Sequence, residues 1–489
     1  MNKLYTIPFK IICVSIVFQL LAMSCCEQGS SNAQKTNEYY NSILKTNDIA
    51  KLNFFFARMP KGGDLHHHYS GAHYVETYLD WAKAKNLNIN PTTLKVESSK
   101  KNPSITVDSL RANAVLYRSL LSLWSDLDFY NHISLQVPPD QQFFNTFGYF
   151  SGLCPGNYPE GFQVLKKRAL TENVQYIETM LSGIKIPAKL SGFDSLLLKC
   201  QGAKSEKELD QVFTKMLQSI VEDSVKAAIS FYTSTLDKAK KGIDDKNFCM
   251  RYQTYASRNS SPSSVFVSVY GAFRLCAANK YVVGINLVSG ENGIVSMRDY
   301  WLHMQIFRYF RSRKEFANLP IALHAGELVM GMVRPEDLSY HINDAVTIAG
   351  ASRIGHGIDI PYEKNAIGLL KYMANNKKAV EINLTSNEFI LGVKGNQHPV
   401  RLYYDAGVPI VISTDDAGVS RNNLTQEYML LASRYGFSYE QIKSFVFNSI
   451  TYSFMPAKLK ETNLELLKTN FNTFEKSIVE FQAAPVKTK

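Results

Sequence analysis

Leu319-Pro320-Ile321-Ala322-Leu323-His324-Ala325-Gly326-Glu327 is a short apolar run that stops at a histidine, bends through a glycine and ends on a carboxylate. Ile410-Val411-Ile412-Ser413-Thr414-Asp415-Asp416 repeats the design, and Leu65-His66-His67-His68 is a third apolar start that ends on ligating side chains. Such runs put chemistry at the C-terminal ends of strands, where a (β/α)8 barrel builds its active site from the βα loops. The three lie far apart in the chain, and a closed parallel barrel is the fold that makes such distant strand ends neighbours. The fold class is therefore α/β, a TIM (β/α)8 barrel with N-terminal helices, inserted loops and extra C-terminal helices.

Residue types then point to a metal. His66 and His68 alternate along one strand, so both face the same way and can grip one ion while His67 faces the other way. His324 ends the strand Leu319 to His324 and offers a third nitrogen, and Asp415 ends Pro409 to Thr414 and offers an oxygen. Three nitrogens and one carboxylate favour Zn2+, one per chain, with a position left for water. Zinc brings the pKa of such a water to about 7.

Three further groups suit proton work. Glu327, three residues beyond His324, is the expected general acid. His356, in Arg353-Ile354-Gly355-His356-Gly357, sits between glycines that let the backbone bend, and is expected to orient or deprotonate the attacking water. Asp416 projects differently from its neighbour Asp415, leaving one carboxylate for metal and one for substrate.

These motifs resemble the adenosine deaminase family, and in Met59-Pro60-Lys61-Gly62-Gly63-Asp64-Leu65-His66-His67-His68 they resemble its secreted, growth-factor-related branch. His-Ala-Gly-Glu at 324–327, Arg-Ile-Gly-His-Gly at 353–357, Ser386-Asn387, His398-Pro399 and Ser413-Thr414-Asp415-Asp416 follow in the family's order. Leu424 to Tyr428 and Asn448 to Phe454 resemble its C-terminal helices. The resemblance implies hydrolytic removal of the 6-amino group of adenosine or 2′-deoxyadenosine, with release of ammonia and inosine. It also implies zinc ligation by His66, His68, His324 and Asp415, proton donation to purine N1 by Glu327, water positioning by His356 and a purine N7 contact from Asp416. The alternatives are a deaminase of another aminopurine or its nucleotide, and an adenosine-binding or signalling protein without turnover.

Two departures bear on substrate contacts. In Asn286-Leu287-Val288-Ser289-Gly290-Glu291, Asn286 stands where the family has Asp and Ser289 where it has the glycine whose backbone meets the purine. Either Gly290 takes over that contact or the contact changes. Ser70 stands where the intracellular branch has a ribose-binding Asp.

With 489 residues, 45% of them hydrophobic, the chain has material for one large barrel. Its formal charge is +11, but the lysines are dispersed rather than gathered in a run, which argues against a specific nucleic-acid partner. Residues 1–24 read as a signal peptide, with Lys3 and Lys10 ahead of the apolar stretch Ile11 to Met23. Leu21-Ala22-Met23-Ser24-Cys25 resembles a bacterial lipobox, so Cys25 is a candidate for lipidation and membrane attachment; residues 25–36 then form a polar tether and 37–489 the catalytic domain. The expected location is exported: extracellular, periplasmic or anchored to the outer membrane. In such a compartment Cys154, Cys200, Cys249 and Cys276 have the number for up to two disulfides.

Along the chain, Asn37 to Arg58 reads as one or two helices and Asn86 to Val107 as an inserted surface loop contributing to a lid. Leu110 to Leu127, Glu206 to Lys238 and Ser438 to Phe481 read as helical. Val174 to Thr179, Val265 to Phe273, Tyr281 to Leu287 and Ala379 to Leu384 read as strands two, three, four and seven. Phe143, Phe144, Phe147 and Phe150 form an aromatic cluster on a helix, suited to core packing or to a wall over a purine.

Overall fold

The computed structural model describes residues 32–484 apart from 99–100, 102, 128–136 and 155. Eight parallel strands run in chain order: β1 (Gly62–His68), β2 (Val174–Met180), β3 (Cys249–Ser257), β4 (Val282–Val288), β5 (Ala322–Ala325), β6 (Arg353–His356), β7 (Ala379–Ile382) and β8 (Ile410–Ile412). They pair as two four-stranded sheets, β1 to β4 and β5 to β8. Two parallel bridges close the circle, Ile285 with Ile321 between β4 and β5, and His67 with Asp415 just past β8. At that second seam the Asp415 amide donates to the His66 carbonyl at 2.8 Å and the His68 amide to the Asp415 carbonyl at 3.2 Å. Closure leaves no sheet edge, and the strand residues are almost all buried because helices cover the outside.

Strand three differs from the sequence reading. Val265 to Phe273 lies inside a helix, Pro262–Ala278, and the strand is Cys249–Ser257. Valines and aromatics there suggest β structure, yet Pro262 opens the helix, where its missing N–H costs nothing. The helix is apolar nearly all round because it packs between β3 and the helix Ile294–Arg311. The true strand carries Arg251, Gln253 and Thr254, polar residues buried by the barrel.

Other elements are finer versions of the expectation. The N-terminal region is two helices, residues 32–46 and Ile49–Arg58. Glu206 to Lys238 divides into Glu206–Gln218 and Glu222–Ala239, and the region from Leu110 divides at Asn113, which caps Ala114–Leu123 by accepting from the Leu116 amide. The insertion after β1 contains an antiparallel hairpin, Leu87–Ile89 with Val96–Ser98, held by Trp124 Nε1 donating to the Leu94 carbonyl. Two helices, Tyr439–Thr451 and Ala457–Ala483, follow the barrel, the first packed on β1 and β8. Cys154, Cys200, Cys249 and Cys276 are all free and buried, so the disulfides allowed by their number do not form. Each thiol sits in its own packed environment: that of Cys154 meets the Tyr78 hydroxyl and that of Cys276 the Val282 carbonyl. The targeting segment lies outside the described residues, and among those described no helix is long and apolar enough to cross a membrane.

Candidate active site

At the C-terminal mouth of the barrel, His66, His68, His324 and Asp415 each bring a ligand atom within 4.8 Å of the others. His68 and His324 face each other Nε2 to Nε2 at 3.1 Å, and Asp415 Oδ1 lies 3.4 Å from His66 Nε2 and 3.3 Å from His68 Nε2. His66 Nε2 is buried with no hydrogen-bond partner. An orphaned imidazole nitrogen beside two opposed imidazoles and a carboxylate is a donor set that fits a divalent cation, and three nitrogens with one oxygen fit zinc.

Each candidate ligand is oriented from behind. His66 Nδ1 meets Glu381 Oε2 at 2.8 Å, and Arg353 donates to Glu381 and to Glu178. His324 Nδ1 meets Asn286 Oδ1 at 3.0 Å, and the Asn286 amide donates at 2.9 Å to Gln253 Oε1, whose own amide donates at 2.9 Å to Glu178. A carboxylate only accepts, so Glu178 fixes the rotamer of Gln253, and Gln253 fixes that of Asn286. Asn286 therefore presents its oxygen to His324 and leaves Nε2 free for an ion. Ser386 Oγ donates to Asp415 Oδ2 at 2.6 Å. A Cβ on Gly355 would fall 2.6 Å from His66 Cε1, so glycine is needed there for the ring to lie flat against β6.

Electrostatics agree with a cation site. Burial pushes His68 down to about 4 and, with neighbouring rings, holds His324 well below the usual imidazole range. Asp415 is held well below the ordinary carboxylate range, the His66 bond and surrounding imidazoles outweighing its burial. In His66, burial is outweighed by Asp415 and Glu381, which raise it to about 10.

Beside this cluster Glu327, His356 and Asp415 form a second convergent group, with His356 Nε2 3.6 Å from Glu327 Oε1. Burial, reinforced by the charges of Asp415 and Glu291, holds Glu327 well above the usual carboxylate range, so it carries a proton. Burial and the adjacent Asp415 do the same for Asp416. His356 is held neutral, at about 3, by burial and the nearby His66. The loop bearing Glu327 is pinned by Glu291, which accepts from the Gly326 and Glu327 amides at 3.1 and 2.9 Å and is flanked by Arg258 and His341. Although burial opposes it, Arg258 and His341 hold Glu291 at about 2.

His68, His324, Glu327, His356, Asp415 and Asp416 open on a cavity of about 350 Å³ lined also by Ser70, Phe143, Phe144, Phe147, Tyr255, Ser257, Val288 and Ser289. Ser289 has φ +82° and its hydroxyl meets that of Ser257 at 2.7 Å. It occupies the glycine-type conformation in place, while Gly290 lies outside the lining and faces Phe144. His356 and Asp415 also have positive φ, +67° and +61°. Three strained backbones at one cavity mark a site whose geometry is imposed by its surroundings. Phe143, Phe144 and Phe147, on the helix Pro139–Phe150, form an apolar wall, whereas Phe150 turns away and stacks on Tyr78 at 4.5 Å. No described residue of the insertion at 86–107 lines the cavity, so the expected lid is not part of it.

The structure brings His68, His324, Asp415, Glu327, His356, Asp416, Ser70 and Ser289 to one cavity, sets His66 in the cluster beneath it and leaves Gly290 outside the lining. Sequence reasoning missed the orienting residues Glu178, Gln253, Arg258, His341, Arg353 and Glu381. For Glu178, Gln253, Arg353 and Glu381 the signal was a charged or amide side chain inside a strand, as in Ala379-Val380-Glu381-Ile382; Arg258, just past its strand, and His341, opening a helix, carried no such mark.

The family model described as adenosine deaminase matches residues 227–470. An adenosine deaminase of Shewanella denitrificans is 28% identical over 223 residues, 45% of this chain and 61% of the relative. One from Clostridium acetobutylicum is 33% identical over 150 residues, 30% of this chain and 42% of the relative. The chain thus spans about half the length of the curated relatives it matches. Among solved structures, adenine deaminase from Arthrobacter aurescens superposes with TM-score 0.53 at 16% identity, covering 84% of this chain and 98% of that one. A zinc-bound amidohydrolase from Burkholderia ambifaria gives 0.52 at 18%, covering 88% and 94%, and an Arabidopsis protein complexed with IMP gives 0.55 at 18%, covering 86% and 99%. These likenesses support the barrel fold.

Proposed function

Because the chain belongs to the adenosine deaminase family of metal-dependent hydrolases, we propose that it removes the exocyclic 6-amino group of adenosine or 2′-deoxyadenosine, giving inosine or deoxyinosine and ammonia. The observation that carries the reading is the meeting, at the barrel mouth, of a buried carboxyl (Glu327) and a buried imidazole (His356) 3.6 Å apart with a four-residue His/Asp cluster, burial holding Glu327 well above the usual carboxylate range.

His66, His68, His324 and Asp415 would hold one zinc ion, which when bound supplies a water acidic enough to be a nucleophile near neutral pH. The protein's own groups do the rest. Glu327 gives its proton to ring nitrogen N1, which draws electrons from C6 and prepares that carbon for attack. The resulting carboxylate is poised to take one proton back from the incoming water, and the other water proton leaves on ammonia as the C6–N bond breaks. Asp416, neutral and buried with Oδ1 unpartnered, donates to N7. Phe143, Phe144 and Phe147 bury the face of the purine and exclude bulk water.

The test is loss of absorbance near 265 nm when purified, zinc-loaded protein meets adenosine, with deoxyadenosine, adenine, AMP and N6-methyladenosine alongside. Faster turnover of adenosine or deoxyadenosine than of the others supports the reading; no conversion of any of them sinks it. His324→Ala should purify without stoichiometric zinc by metal analysis, and full zinc in that variant would remove His324 from the ligand set.

The same reading carries an export step. Lys3, Lys10 and the apolar stretch to Met23 support a cleaved leader, and Ser24-Cys25 supports lipidation of Cys25. Mass spectrometry of the mature N-terminus tests both: an unprocessed Met1 overturns export, and an unmodified cysteine overturns anchoring.

A further inference from the structure

Ser386-Asn387 and His398-Pro399 are motif residues to which the reaction above gives no task at the substrate. The structure joins Asn387 and His398 to His356 in a line of hydrogen bonds that begins at a donor of fixed sense. The Val400 backbone N–H donates to His398 Nδ1 at 3.1 Å. With Nδ1 accepting, a neutral His398 ring carries its hydrogen on Nε2, and that nitrogen lies 3.2 Å from Asn387 Oδ1. Asn387 Oδ1 is thereby the acceptor, which turns its amide nitrogen toward His356 Nδ1 at 2.9 Å. Asn383 Nδ2 approaches the same Nδ1 at 3.3 Å. All four side chains are buried, so water does not scramble the pattern. The sense of the last bond leaves Nδ1 of His356 accepting and its hydrogen on Nε2, the buried atom without a protein partner that faces the cavity.

Resting on the deaminase reading, we propose that Asn387 and His398 are positioning residues that hold His356 with its N–H on Nε2, so that His356 donates to the oxygen of the attacking water and does not take its proton. The proton of that water then goes to Glu327, whose Oε1 is 3.6 Å from His356 Nε2 and which has just given its own proton to the purine. A single carboxyl serves as acid and then base, and the imidazole steers the oxygen. The left-handed backbone of His356, between Gly355 and Gly357, aims the ring, and the amide line sets which nitrogen carries hydrogen.

The test uses whole, zinc-loaded protein turning over adenosine. Asn387→Asp keeps the shape of the side chain but replaces the donor with an acceptor, drawing the hydrogen of His356 to Nδ1. The expected result is a fall in kcat of about 10²–10⁴-fold, with KM within about threefold of the parent and zinc retained. His398→Leu frees Asn387 to rotate and should cost about tenfold, whereas His398→Gln, which keeps a donor, should recover most of the loss. His398→Leu placed on Asn387→Asp should cost nothing further, because an aspartate offers acceptors in either rotamer. A kcat for Asn387→Asp within threefold of the parent, or the same loss from His398→Leu in both backgrounds, overturns the proposal while leaving the deaminase reading intact. A parent protein that converts no aminopurine overturns both.

Discussion

Beneath the cavity, Arg353 lies between Glu178 and Glu381, with its guanidinium 3.7 Å over the Phe454 ring; its bonds to the two carboxylates lead on to His66 and His324, and a third, at 3.0 Å, goes to the Tyr452 carbonyl. Lining the cavity, Phe143, Phe144 and Phe147 project from one helix, Phe143 meeting each of the other two edge to face, with no polar partner to hold their orientation. The floor is charged, buried and hydrogen-bonded nearly to saturation; the wall is apolar, partly exposed and adjustable. A floor of that kind tolerates one arrangement only, because each donor removed strands a buried acceptor. A wall of rings can shift by rotamer changes at small cost. Chemistry is thus assigned to the rigid part of the molecule and discrimination among substrates to the compliant part.

Substitutions can break this contrast or sharpen it. The largest effect is expected from Glu327→Gln, which removes the transferable proton but preserves shape: kcat should fall about 10³-fold or more with zinc content unchanged, and activity near the parent level would take the acid role away from Glu327. Arg353→Met should leave two buried carboxylates facing each other and lower stability by about 3–5 kcal/mol in denaturant unfolding; a loss below about 1 kcal/mol would mean the floor relaxes as readily as the wall. Phe147→Ala on the wall should raise KM for adenosine by about three- to tenfold with kcat nearly unchanged, and a kcat loss equal to that of the floor variants would erase the division. Smallest is Ser289→Gly. Relief of the positive φ outweighs the extra freedom of the unfolded chain, so stability should rise by about 1 kcal/mol or less. A drop instead would show that the Ser257 hydroxyl contact holds that turn.

The same contrast explains what was legible in the sequence. His-Ala-Gly-Glu and Ser-Thr-Asp-Asp stand out because an apolar strand that ends on ligating residues has few other readings, and those strand ends do converge. Strand three was hidden for the opposite reason: Gln253 points into a polar interior and Thr254, on the other face, is buried with its hydroxyl on the Ser182 carbonyl, so polar side chains on both faces weaken the alternation that marks a strand, while the neighbouring helix is buried over most of its surface and imitates one. Glu178, Gln253 and Arg353 were invisible as a network because their partners come from different strands, and their pairing exists only once the barrel is round. Ser289 was legible as a departure, but that it keeps the backbone shape of a glycine required its φ angle.

The seam between the first and last strands carries a consequence for the order in which the molecule comes into being. His66 and His68 stand on one side of that joint and Asp415 on the other, linked by the backbone bridge through His67. During synthesis the first two ligands emerge some 350 residues ahead of the fourth, so a nascent chain owns no complete coordination sphere until its eighth strand arrives to shut the ring. Capture of an ion by these four residues would then certify assembly, and would fasten the finished molecule at its last-made joint.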